Sequence, residues 1–336
     1  MASKVAVIGA GSWGTAVASL TAHNAPVALW ARRKELADAI STRHVNDAYL
    51  PDFALPSALE ASSDLAEVLE GATAVVMAVP SHGFRDVLID VRDSVTGRTP
   101  IVSLAKGLEE GTLLRMTEVI AAVAPDHPAG VLTGPNLAKE VLAGHPSASV
   151  VAVADDAVGA ELQHLFRTDT FRVYTNPDVV GCEIAGALKN VIAIASGMVD
   201  GMGFGANTKA ALVTRGLAEL TRLGVALGGD PLTFSGLAGM GDLIATCVSP
   251  QSRNRHVGEQ LARGRSLAEI TADMHMVAEG VKTARVVREL AARHGVEMPI
   301  AEQVAAVLDG TKTARDVIPA LMQREAKAEL HGIRPT

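Results

Sequence analysis

At 336 residues the chain exceeds the ~250–300 residues at which single hydrophobic cores stop growing, so two domains are expected. Its 48% hydrophobic and 20% charged residues exclude a disordered chain, and a formal net charge of -7 argues against a polyanion-binding surface, so nucleic acid is not an expected partner. Cys182 and Cys247 are too few for a disulfide framework or a four-cysteine zinc site, which suits a reducing cytoplasm.

Met1-Ala2-Ser3-Lys4 runs directly into Val5–Ile8 and lacks the longer apolar region of a signal peptide. The longest apolar stretch, Ile184 to Met198, is interrupted by Lys189-Asn190 and falls short of the ~20 residues a spanning helix needs. It reads as a buried helix, with no membrane span. Short β-branched runs at Val5–Ile8, Val27–Trp30, Ala74–Ala78, Ile101–Leu104, Ala148–Ala152 and Phe171–Tyr174 alternate with helical patterns at Gly14–His23, Ser81–Val91 and Thr112–Val123. That alternation predicts βα units building a parallel sheet. After Asn176-Pro177 the runs Val179–Met198, Ala206–Leu227, Arg253–Arg263, Leu267–Met274, Gly280–His294 and Ile300–Leu308 all read as helices, with 228–231 and 236–241 as loops. The expected fold is an α/β Rossmann-type domain, 1–177, followed by a mainly α-helical domain, 178–336.

Gly9-Ala10-Gly11-Ser12-Trp13-Gly14 matches G-x-G-x-x-G between the first strand and the first helix. With 31 glycines, chance supplies three at that spacing roughly a quarter of a time, so the strand–helix context carries the reading. Gly9 permits a tight turn, Gly11 admits a pyrophosphate and Gly14 allows helix-to-strand contact, while the helix N-terminus offers N–H groups to the phosphates. No acidic residue follows the second strand to bind ribose hydroxyls. Arg32 and Arg33 stand there, suited to a 2′-phosphate and hence to NADP, or else a solvated helix start.

Val79–His82, Ser103–Gly107 and Leu132–Glu140 each follow a strand, placing polar residues at the carboxyl edge of the sheet, with Asn136 available as a helix cap. In the helical half, Lys189 is either a buried base with a depressed pKa or a lysine whose stem is buried and whose head reaches water. Gln251–His256 opens a helix with donors suited to a phosphate, or is an ordinary first turn. Asp242 can cap the helix after it or orient a cation. No H-E-x-x-H pair or G-x-S-x-G elbow is present, against zinc-enzyme and hydrolase readings.

These segments, with Glu183–Asn190, Asp200–Gly205, Gly239–Leu243, Gln251–Asn254 and Val277–Gly280, resemble the bacterial type of NAD(P)-dependent glycerol-3-phosphate dehydrogenase over nearly the whole chain. The resemblance implies that Lys189 is the general acid/base and that Lys106, Gly134, Asn136, Asp242, Ser252, Arg253 and Asn254 help it hold the substrate. Asn136 departs from the serine or threonine common in the family. Around Gly9, Gly11 and Gly14, the resemblance implies cofactor contacts from Ser12, Trp13, Arg32, Arg33, Lys106, Ala138, Arg253, Val277 and Glu279. It implies hydride exchange between NADP(H), and also NAD(H), and dihydroxyacetone phosphate or sn-glycerol 3-phosphate, in a cytoplasmic homodimer serving glycerophospholipid synthesis. The competing readings are another two-domain dehydrogenase, of the hydroxy-acid or 6-phosphogluconate type, and an NADP-sensing protein without turnover.

Overall fold

The computed structural model describes residues 4–274 and 278–329. The chain divides into two compact units, one of residues 4–105 and 114–179, the other of 106–113 and 180–329.

The first unit contains the strands β1 (Lys4–Ile8), β2 (Val27–Trp30), β3 (Val45–Asn46), β4 (Leu50–Ala54), β5 (Leu59–Ser62), β6 (Ala72–Met77), β7 (Ile101–Ser103), β8 (Ala129–Thr133), β9 (Ser147–Val153) and β10 (Phe171–Asn176). Its helices are α1 (Ser12–Thr21), α2 (Lys34–Arg43), α3 (Leu65–Leu69), α4 (Phe84–Arg92), α5 (Met116–Val123), α6 (Ala138–Leu142) and α7 (Asp156–Phe166). Eight strands form one sheet in the order β10-β9-β8-β7-β6-β1-β2-β5, while β3 and β4 make a separate hairpin. Side chains alternate across β1, so Val5 and Val7 enter the core that includes Val17 of α1 and Phe166 of α7, whereas Ala6 and Ile8 enter the core of Phe84 and Leu88 on the other face. Both faces are therefore covered, as continuous apolar runs in parallel strands require. The order reverses at β1, whose neighbours are β2 and β6, and Gly9–Gly14 leaves the sheet at this switch point.

The sheet is not wholly parallel: β8 and β9 pair antiparallel, while β9 and β10 are parallel again. A parallel return needs a crossover along the full strand height. The β8–β9 connection holds only the five-residue α6, so the chain turns back at the edge where β8 ended. The strands β3, β4 and β5 are not among those expected from sequence: they are short and carry polar residues such as Glu60 and Asp52, which mask the apolar period.

The second unit contains α8 (Val179–Gly201), α9 (Ala206–Ala226), α10 (Pro231–Ser235), α11 (Asp242–Val248), α12 (Arg253–Ala262), α13 (Leu267–Ala272), α14 (Glu279–His294), α15 (Pro299–Leu308) and α16 (Ala314–Met322). Every residue of α8 from Gly181 to Val199 is buried. Although α8 is long and apolar enough to cross a membrane, 89% of its apolar window is buried within the protein. Glycines let neighbours approach its backbone: a Cβ at Gly197 would stand 1.8 Å from the Arg255 carbonyl oxygen, and one at Gly258 of α12 would stand 1.9 Å from that of Ile194. The segments read as loops at 228–231 and 236–241 prove partly helical. Pro231 opens α10, and Leu237–Gly241 forms a π-helical turn closed by a 3.0 Å bond from the Gly241 N–H to the Gly236 carbonyl. Glycine content hid that turn, because Gly239 is required by contact with Phe234 rather than by chain reversal.

Candidate active site

In the first unit, Gly9 adopts φ +121°, and a Cβ there would lie 2.7 Å from the Ala78 carbonyl oxygen. A Cβ on Gly14 would lie 2.0 Å from the Gly9 carbonyl oxygen, so helix and turn touch through it. Gly11 differs, since a Cβ there would meet nothing within 4 Å. Packing does not demand glycine at Gly11, but close approach by a phosphate would. Gly11 is also the N-cap of α1 and no side chain caps this helix, leaving first-turn N–H groups for an anion. The buried Trp13 indole N–H has no partner among the described residues. These features fit a dinucleotide.

Arg32 and Arg33 are exposed just beyond β2, and neither forms an ion pair among the described residues. Arg33 is the N-cap of α2, in extended backbone, and its guanidinium stands 5.8 Å from the centroid of the Tyr49 ring. At the end of β8, Gly134 takes φ +129°, with a would-be Cβ 3.1 Å from the Ser149 Cα. Asn136 does not cap α6 as its sequence position suggests. The N-cap is Leu137, with Ala138 the first helical residue, because Asn136 lies one residue too early. The buried hydroxyls of Thr133 and Ser149, which sequence reading missed, have no partner among the described residues.

The second unit brings together Lys106, Lys189 and Asp242 from distant points of the chain. The Lys189 ammonium donates to Asp242 Oδ1 at 2.5 Å and to Thr246 Oγ1 at 2.6 Å, while the Lys106 ammonium donates to Asp242 Oδ2 at 2.8 Å. Lys189, Asp242 and Thr246 are all buried. The Thr246 hydroxyl donates to the backbone carbonyl of Asp242 at 2.7 Å, one helical turn back, which turns a lone pair toward Lys189. Of the two readings of Lys189, burial is therefore the observed one, and Asp242 orients cations. Burial lowers the Lys189 pKa from its ordinary 10.5 to about 8; Asp242 acts upward and Lys106 further downward. Such a group can exchange a proton near neutral pH.

A line of amides lies beside this cluster. The Gly280 N–H donates to Asn254 Oδ1 at 3.0 Å, Asn254 Nδ2 to Asn190 Oδ1 at 2.9 Å, and Asn190 Nδ2 to the Lys106 carbonyl at 2.9 Å. Ser252 caps α12 by accepting from the Arg255 N–H at 3.2 Å, and Arg253, the first helical residue, is exposed. Glu279 opens α14, and Val277 lies outside the described residues. Sequence reading missed Thr246 and the bonding of Asn190. Asp242 does not cap the helix after it: it is the first residue of α11, with Gly241 as N-cap, and Thr246 follows it one turn on.

The two halves of the chain match, in order, the profiles described as NAD-dependent glycerol-3-phosphate dehydrogenase N-terminus, residues 4–159, and C-terminus, residues 178–319. The chain belongs to the NAD-dependent glycerol-3-phosphate dehydrogenase family. It is 56% identical to glycerol-3-phosphate dehydrogenase [NAD(P)+] 2 of Sphingopyxis alaskensis, covering 98% of this chain and 99% of that one. Identity with glycerol-3-phosphate dehydrogenase [NAD(P)+] of Mycobacterium avium is 51%, over 98% and 97% of the two chains. The crystal structure of glycerol-3-phosphate dehydrogenase from Coxiella burnetii superposes with a TM-score of 0.92 at 37% identity, covering 96% of this chain and 99% of that one. As a member of this dehydrogenase family the chain is an oxidoreductase, and the hydroxy-acid or 6-phosphogluconate alternative loses its support.

Proposed function

We propose that this chain is an sn-glycerol-3-phosphate dehydrogenase, interconverting dihydroxyacetone phosphate and sn-glycerol 3-phosphate with NADP(H), and also NAD(H). Support comes from the names of its full-length relatives and from one observation above all: a buried lysine held by Asp242 and Thr246, with a second lysine on the same carboxylate. A bound nicotinamide supplies or accepts the hydride. Lys189 gives its Nζ proton to the C2 oxygen in the reducing direction and takes it back in the other. Asp242 holds that ammonium in place, and Lys106 opposes negative charge developing on the substrate oxygen.

In this reading Gly134, Asn136, Ser252, Arg253 and Asn254 hold the substrate with Lys106, Lys189 and Asp242. Remote phosphate binding then orients the carbonyl. The glycine turn, Ser12, Trp13, Arg32, Arg33, Lys106, Ala138, Arg253, Val277 and Glu279 hold the cofactor. Residues 1–177 form the cofactor domain and 178–336 the substrate domain, with Lys106 serving both ligands. A cytoplasmic homodimer in glycerophospholipid synthesis completes the proposal. The decisive assay is loss of NADPH absorbance on adding dihydroxyacetone phosphate to the purified protein; no loss with that ketone, but turnover of a hydroxy-acid precursor, would overturn it.

A further inference from the structure

Asn46 is fully buried, yet it lies in the two-residue strand β3, outside the eight-stranded sheet and far in sequence from the glycine turn. Its carboxamide nitrogen donates to the Ala10 carbonyl at 3.1 Å and to Thr15 Oγ1 at 2.8 Å, and its oxygen accepts from the Tyr49 N–H at 3.2 Å. Both donors and the acceptor are engaged, so only an amide in this orientation satisfies all three partners. Thr15 is likewise fully buried, on the first turn of α1. One side chain therefore joins the middle of the G-x-G segment to the helix that follows it.

The peptide between Ala10 and Gly11 is planar and trans, so its C=O and N–H point in opposite directions. Holding the Ala10 carbonyl toward Asn46 fixes the Gly11 N–H away from it. Gly11 has no Cβ and no side-chain contact to restrain the peptide, and glycine is the residue freest to rotate. The hairpin provides a second tie, since Ser12 Oγ donates to the Tyr49 carbonyl at 3.4 Å. Without Asn46 the open turn would sample orientations that must be lost on binding, at the expense of affinity.

We propose that Asn46 is a positioning residue for the cofactor: it locks the Ala10–Gly11 peptide so that the turn is preorganised for the pyrophosphate of a nicotinamide dinucleotide. The inference rests on the dinucleotide reading of Gly9–Gly14. Because the pyrophosphate is common to both cofactors, Asn46 acts equally on NADPH and NADH, unlike a residue that reads the 2′-phosphate.

The test compares wild type, Asn46→Ala and Thr15→Val by calorimetric titration with NADPH and NADH, and by amide hydrogen exchange of the ligand-free protein. Asn46→Ala should weaken both cofactors by a common factor of about ten, as loss of a preorganising contact does, and accelerate exchange at residues 10–14. Thr15→Val keeps the Ala10 bond and should do the same to a smaller degree, which keeps the idea testable if Asn46→Ala does not fold. Unchanged affinities, or unchanged exchange at 10–14, would overturn the proposal, as would weakening of NADPH alone. Wild-type protein that binds neither nucleotide would instead refute the dinucleotide reading.

Discussion

Lys189 and Asp242, 53 positions apart in sequence, form a 2.5 Å ion pair in which neither side chain is more than 6% exposed. Breaking a buried pair from one side strands the other charge, which costs roughly 3–5 kcal/mol. Here Asp242→Ala strands the Lys189 ammonium and takes from Lys106 the carboxylate the two lysines share. Asp242→Ala should therefore lower stability in denaturant titrations by about that amount, and adding Lys189→Met should restore part of the loss. A double variant no more stable than Asp242→Ala would show that the two groups are not coupled.

Lys189 is also the group whose protonation the proposed reaction uses. With its pKa at about 8, ketone reduction should fall as pH rises through that value, because the ammonium is the proton donor. Asp242→Asn, which removes the upward influence, should move the fall to lower pH. Lys189→Ala should lose kcat by ~10² or more while still binding NADPH. The stability effect has the opposite slope. Below about 8 both folded and unfolded chains hold the proton, and between about 8 and 10.5 the folded chain has already shed it, so this group makes stability rise with pH in that window. A pH–rate profile in Lys189→Ala matching wild type in shape would remove Lys189 from the proton transfer.

Gly11 and Gly14 predict opposite phenotypes from the same substitution. Gly14→Ala drives a methyl group to 2.0 Å from the Gly9 carbonyl and should destabilise the fold by ~1–3 kcal/mol or more. Gly11→Ala meets nothing in the protein, so its melting temperature should stay at the wild-type value while NADPH affinity drops. Retained NADPH affinity in Gly11→Ala would mean that no phosphate approaches that backbone.

The glycine turn was legible because its chemistry is local: strand, turn and helix are adjacent, and each glycine's task follows from its place. The Rossmann-type sheet and most long helices were legible for the same reason, since periods of two and 3.6 residues report which face is buried. What was hidden depends on contacts distant in sequence. The partners of Lys189, Asp242 and Thr246, lie far along the chain on α11, and the glycine-rich π turn before α11 hid that Asp242 stands inside that helix and does not cap it. Asn46 was hidden more deeply, because a polar residue in a two-residue strand carries no periodic signal. The antiparallel β9 depends on the length of α6, which Gly134 and Pro135 obscure by opening a turn with no visible end.

Arg33 carries the expectation of NADPH preference. It is exposed, leans toward Tyr49, and has no carboxylate partner among the described residues that would compete with a phosphate. Arg33→Ala should reduce the ratio of kcat/KM for NADPH over that for NADH, chiefly by losing NADPH, since a guanidinium–phosphate pair is a strong charge-assisted contact. An unchanged ratio would leave Arg33 as a solvated helix start, and cofactor choice would then rest on Arg32 or elsewhere.

Glu219 joins α9 to α15. Its carboxyl oxygens accept from the N–H groups of Ile300 at 2.8 Å and Ala301 at 3.2 Å, in the first turn of α15. Burial pushes its pKa up from 4.5 to about 7, against the two N–H groups and Arg222, which favour the charged form, while Glu302 adds to the rise. The folded value lies above the unfolded one, so the folded chain retains a proton that the unfolded chain loses between pH 4.5 and 7. Stability from this group is complete below that window and declines as pH rises through it. In Glu219→Gln the titration is gone but a carbonyl acceptor for α15 remains, so the variant's melting temperature should fall less than that of wild type across the same interval. Equal slopes would show that Glu219 is already ionised throughout, held by the α15 N-terminus more strongly than burial opposes it.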